Sequence, residues 1–303
     1  MTRPTIVTLS SIPSRFHLLE PTLKSLLSQS VKPHEVRVYI PKTYRRFPNW
    51  DGTLPVVPAG VRIVRCDMDY GPATKVLPAA RELKNQIVDL IFCDDDVVYD
   101  RHWHRRLKEA SEMHPNACIV EKGDSFPDIA DECRSPERLP RGKSRPKDLR
   151  YRLQRALYLY RYRPNRTTPG FVDMLAGFAG VLVRPEWFDE AFYEIPDVMW
   201  TVDDAWLSGH LERVGVPIWM TGKGLHVVDN GAAGIDALTD LVEGAHDRTN
   251  ADLLVIEYFR THYGIWKKDG AIDPKAIHRT RSMAEMARRR IKELSPDMLG
   301  EES

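Results

Sequence analysis

The stretch VDLIFCDDDVVYD, Val88 to Asp100, decides how the chain reads. Four of the six residues ahead of its three aspartates are strongly apolar, the pattern of a short buried strand, and the acids stand where that strand should end. Carboxylates this close raise one another's pKa, so Asp94, Asp95 and Asp96 cannot all be buried and ionised without a compensating charge. A divalent cation supplies one. Oxygen ligands at a strand end suit Mg²⁺ or Mn²⁺, which keep waters and take phosphate oxygens as their remaining ligands. An acidic surface loop or a helix-capping cluster is the plainer alternative.

Working outward, the first half alternates strands with helices. TIVTLS (Thr5 to Ser10), EVRVYIP, VRIVRCD and VDLIF read as strands. Leu19, Leu23, Leu26 and Leu27 recur at helical spacing with Pro21 in a first turn, and PATKVLPAARELKNQ reads as a helix opened by Pro72 and kinked at Pro78. Asp100 can cap the helix after it. Strands and helices in this order predict an α/β fold with right-handed crossovers and a mostly parallel central sheet flanked by helices. In such sheets ligands bind beyond the carboxyl ends of the strands, which gathers the loop after Thr8, the DMDYGPATK loop and the three aspartates on one edge. Beyond a break from Glu121 to about Thr168, the pattern resumes with GFAGVLVRPEWF as strand, WTVDDAWLSGHLERVG as helix and VPIWMTG as strand, then two helical runs in the tail. The expected organisation is a catalytic domain over 1–232 and a helical extension over 233–303 packed on it.

The chain has 303 residues and a formal net charge of +1, which hides an uneven distribution. Between Arg134 and Arg166 there are twelve Lys or Arg against two acids, together with four tyrosines. This basic insertion reads as a solvated segment, as a lid over an anionic substrate, or as a patch that meets acidic lipid or a charged glycan. Nothing resembles a helix-turn-helix, a zinc finger or an RNA-recognition signature, so no nucleic-acid partner is expected. The four cysteines lack CxxC spacing, and no apolar run approaches the roughly 18 residues of a membrane span. A soluble cytoplasmic protein is expected, peripheral to the inner membrane face if the basic insertion meets lipid.

A second acidic pair, Asp203 and Asp204, stands where a helix should begin. The helix dipole alone favours carboxylates there; the functional reading makes one of them a general base facing the same cleft. His226, before a short apolar run, is structural or a metal ligand.

Together these pieces resemble a GT-A-fold glycosyltransferase, close in pattern to family 2-like enzymes. The resemblance covers roughly residues 3 to 228 and runs through TIVTLSSIPSRF, YGPATKVLPA, LIFCDDDVVY, GFAGVLV and VDDAWLSGHLERVGVPIW to His226. It implies transfer of a hexosyl-type sugar from a nucleotide-sugar, UDP by default, to a glycan or lipid-linked acceptor in polysaccharide biosynthesis, with Mn²⁺ or Mg²⁺ and with inversion. By the same resemblance Thr8, Ser10, Ser11 and Arg15 contact the nucleotide, and Lys75 the ribose or diphosphate. Asp94 and Asp96 form the DxD, with Asp95 supporting the donor; Asp94, Asp96 and His226 hold the metal. Asp204 is the base and Asp203 positions the acceptor. The acidic turn that often reads uracil is YIPKTY here, which transfers the base contact to Asp67 or Asp69. Competing readings are a metal-dependent nucleotidyl- or phosphotransferase, a glycoside hydrolase, and an inactive glycan-binding protein of the same fold.

Overall fold

The computed structural model describes residues 3–145, 149–157, 164–237, 247–272 and 280–294. In chain order the elements are β1 (Thr5–Ser10), α1 (Leu19–Leu27), β2 (Glu35–Pro41), β3 (Val61–Cys66), α2 (Leu77–Leu83), β4 (Asp89–Phe92), β5 (Val97–Val98), α3 (Trp103–Met113), β6 (Cys118–Val120) and β7 (Gly123–Asp124). They continue as α4 (Leu149–Leu157), β8 (Gly170–Val172), β9 (Met174–Leu175), β10 (Val181–Val183), α5 (Asp203–Arg213), β11 (Ile218–Met220), β12 (Val228–Asp229), α6 (Arg248–Tyr263) and α7 (Arg281–Leu294).

Eight strands form one sheet in the order β3-β2-β1-β4-β10-β6-β11-β8. The pairs β2/β3, β1/β2, β1/β4 and β6/β11 are parallel, whereas β10 is antiparallel to both β4 and β6, and β8 to β11. The sheet is therefore mixed but largely parallel: the chain comes back from the basic insertion and threads β10 between two strands that run the other way. From β1 the chain winds outward through β2 and β3, then crosses back to lay β4 on the other side of β1. Loops diverge at such a reversal and leave a crevice at the strand ends.

Alternation sorts the strand residues onto two faces. Val7, Leu9, Val36, Val38 and Ile91 pack with Leu19, Leu23 and Leu26 of α1 and Leu107 of α3. Ile6, Leu90, Phe92, Val181 and Val183 pack on the opposite face with Leu77 and Leu83 of α2 and with Leu207 and Leu211 of α5. The other side of α5 is apolar too. Val202, Ala205 and Trp206 join Val255, Ile256 and Phe259 of α6 and Met283 and Met286 of α7 in a third cluster. A helix with apolar residues on both sides needs two partners, so α5 is the middle layer between sheet and tail.

Three local expectations change. Pro78 lies at the start of α2, after a 3-10 turn over Gly71–Lys75, so it opens the helix and does not kink it. In GFAGVLVRPEWF only Val181–Val183 is strand; Gly177–Ala179 is a 3-10 turn. Asp100 does not cap α3, whose N-cap is His102; it accepts the His102 N–H at 2.9 Å in the turn before the helix and pairs with Arg106. The basic insertion is partly buried. Arg134 and Arg141 close on Asp173, which burial would push up and the two guanidiniums hold below the usual carboxylate range. Residues 146–148 and 158–163 of the insertion, and the part of the last predicted helix over 274–279, lie outside the described residues. Among the described residues no helix is long and apolar enough to cross a membrane.

Candidate active site

A cavity of about 220 Å³ opens at the β1/β4 reversal. Ser10, Ser11 and Arg15 reach it from the loop after β1, Asp69 and Lys75 from the segment after β3, and Asp94, Asp95 and Asp96 from the end of β4. Asp203 and Asp204 enter from the first turn of α5. Ten of the predicted site residues thus share one cleft.

Lys75 sits at its centre, 2.6 Å from Oδ1 of Asp94 and 2.8 Å from Oδ2 of Asp203, with 6% of its side chain exposed. Burial opposes its charge, but Asp203, Asp94 and Asp204 outweigh burial and hold the ammonium well above its ordinary pKa. A lysine so enclosed ties the strand-end acids to the start of α5. A donor's ribose or diphosphate would compete with these carboxylates for it.

The three consecutive aspartates divide their work. Asp95 is buried, accepts a hydrogen bond from the Ser11 hydroxyl and receives the Arg15 guanidinium at 3.1 Å. Its backbone carbonyl accepts from Thr22 and Asn230, so Asp95 anchors the loop. Asp94 and Asp96 are more open, at 31% and 19% side-chain exposure. Burial, then Asp94 and Asp95, push the Asp96 carboxyl up to about 6 against the pull of Arg15.

Asp204 accepts the N–H of Gly177 at 2.9 Å. Burial, then Asp203, push its carboxyl up to about 7 against Lys75 and Arg248. Gly177 is required for the close approach, because a Cβ there would lie 2.7 Å from Nζ of Lys75 and 2.9 Å from Oδ1 of Asp204.

Three predicted residues stand elsewhere. Thr8 is fully buried within β1 and does not line the cleft, because strand alternation turns it inward. His226 is exposed, with Nδ1 3.2 Å from the Val227 carbonyl, and is not in the cleft lining. Asp67 is exposed and pairs with Lys42. Asp69 does line the cleft, but both its oxygens accept backbone N–H groups, from Arg45 and Gly71. Those bonds fix a turn.

Sequence reading missed Arg46, Phe178, Asp236 and above all Arg248. Arg248 opens α6 and lines the cleft without an ion pair among the described residues; burial opposes its charge, and Asp204 and Asp203 favour it. No local motif marks it, since only tertiary packing brings the tail there.

The lining carries seven aspartates against four cations, Arg15, Arg46, Lys75 and Arg248. This excess of negative charge and the raised Asp96 suit a divalent cation. No group of three or more His, Cys, Asp or Glu among the described residues could hold one unaided. Asp94 and Asp96 are the more open carboxylates that could contribute oxygens to such a cation, and His226 is not beside them. No protein-family model matches the chain, and no curated protein matches it.

Proposed function

We propose that the chain is a metal-dependent, inverting glycosyltransferase of the GT-A fold that uses a nucleotide-diphosphate sugar. The observation that carries this reading is Asp204, a carboxylate raised to about 7 in the same cleft as the strand-end acids. A base with its pKa near the working pH is the most effective kind. At an ordinary carboxylate pKa near 4 it would be a poor match for an alcohol.

Asp204 takes the proton of the acceptor hydroxyl as that oxygen forms its bond to the anomeric carbon. The bond from that carbon to the diphosphate breaks, and its electron pair leaves with the phosphate. Attack from the face opposite the leaving group inverts the centre. Asp96 and Asp94 would hold a divalent cation, which would supply positive charge beside the diphosphate. Arg248 faces the same space and adds a fixed positive charge. Lys75 holds Asp94 and Asp203 in place, and Gly177 orients Asp204 through its N–H. Trp200, buried at the edge of the cleft with the Arg45 guanidinium over its ring, donates to the Asp69 carbonyl at 3.1 Å and so holds the Asp69 turn.

The test is thermal stability with UDP, GDP, CDP and CMP, each with and without Mn²⁺. Ligand at 100 times its dissociation constant adds about 2.7 kcal/mol. The expected result is a shift with one diphosphate that needs the metal and disappears in Asp96→Ala. No shift with any nucleotide overturns the reading in favour of a glycan-binding protein or hydrolase, and a retained anomeric centre in the product removes Asp204 from its role.

A further inference from the structure

We propose that α4 lies on an anionic membrane surface with Leu149, Leu153 and Leu157 set among the acyl chains. These leucines are four residues apart, on one side of the helix, and are 80%, 63% and 70% exposed. Every α4 side chain whose burial is described is exposed. A helix of nine residues has little stability of its own in water and normally draws it from packing on an apolar face. Here that face lies outward.

The surrounding chemistry selects the occupant. Over Leu149–Leu157 the chain carries three arginines, one tyrosine and no acid. Arginine, tyrosine and leucine together are the composition of helices that lie in the headgroup layer, where cations meet anionic lipid and apolar side chains enter beneath. A second copy of the chain would bring two such basic segments together, since a twofold contact pairs like with like. A nucleic-acid backbone would use the arginines and leave the leucines in water.

The topology gives the contact a direction. Gly170, which opens β8, pairs with Met220 at the end of β11, and Met220 pairs with Val120 at the end of β6. Strands β6 and β4 are both antiparallel to β10, so they run the same way. The insertion therefore leaves from the sheet edge on which Asp94–Asp96 emerge. A lipid-anchored acceptor held at that edge could reach Asp204; this clause alone rests on the proposed function.

The experiment is co-sedimentation of the full chain with vesicles of phosphatidylcholine alone and of phosphatidylcholine with phosphatidylglycerol. The protein is expected to pellet only with the mixed vesicles. A variant carrying Leu149→Ser, Leu153→Ser and Leu157→Ser is expected to lose binding by about tenfold or more, with an unchanged melting temperature. A separate Leu153→Trp variant should shift its added emission to the blue with the mixed vesicles. Wild-type protein that stays in solution, binding that survives loss of the three leucines, or unchanged Leu153→Trp emission overturns the proposal. Nucleotide shifts measured without vesicles separate this outcome from failure of the catalytic reading.

Discussion

At the scale of single residues, Asp204 and Lys75 carry the most specific expectations. Asp204→Asn keeps an acceptor for the Gly177 N–H but cannot take a proton, so turnover should fall about 10²- to 10⁴-fold while nucleotide shifts persist. In the wild type the acid limb of turnover should have an apparent pKa about 7, with activity lost below it as Asp204 is protonated. The same group has a stability signature. Its folded pKa lies above the unfolded value, so the wild type binds the extra proton when folded and loses that advantage as pH rises from about 4 to about 7. Asp204→Asn never carries the charge and should gain stability relative to wild type over that window, which melts at pH 5 and pH 8 will show. Lys75→Met leaves Asp94 and Asp203 without their cation; unfolding in urea should report a loss of about 3–5 kcal/mol, the usual result of removing one partner from a buried pair.

At the scale of elements, the site depends on short turns that hold backbone close to side chains. Gly177→Ala requires no unusual backbone angle, yet its Cβ would collide with Lys75 and Asp204. The expected outcome is a melting temperature lowered by the equivalent of about 1–3 kcal/mol, the usual cost of overpacking, with turnover reduced about 10²-fold, the scale of an ångström's misplacement at a reacting group. Circular dichroism melts beside initial rates check it. The same scale explains what was legible in the sequence. Strand β4 could be read because VDLIF is apolar and punctuated by acids, and the start of α5 because two carboxylates mark a helix N-terminus. Thr8 enters the site only through the resemblance: the strand read from sequence, Thr5 to Ser10, already encloses it, and the cleft lining begins two residues beyond its buried side chain, at Ser10. For Lys75 the sequence shows a cation near a cleft but not the two carboxylates that enclose it. His226 lies on a loop whose path no periodicity encodes.

At the scale of the whole molecule, the tail is the third layer of the core. Trp206 packs under Phe259, and Gly209 leaves so little room that a Cβ there would lie 2.2 Å from the Phe259 ring. A chain ending at residue 232, the expected domain boundary, should therefore show no cooperative melt and should aggregate, because it uncovers Val202, Ala205 and Trp206. A soluble, cooperatively melting fragment would show the tail to be dispensable. The tail also brings Arg248 to the cleft, so folding of the last layer completes the site.

The antiparallel insertion of β10 has a consequence for synthesis on the ribosome. Phe92 of β4 pairs with Val181, so one edge of β4 waits roughly ninety residues for its neighbour, on the order of ten seconds at ordinary elongation rates. During that wait DLIF is an unpaired apolar edge in a nascent chain, the kind of segment that recruits other chains. Its apolar part, Leu90–Phe92, is flanked by Asp89 on one side and by Asp94–Asp96 on the other. Charges so placed act as gatekeepers against aggregation. The aspartates that face the cleft of the finished protein thus protect the strand that carries them before the cleft exists.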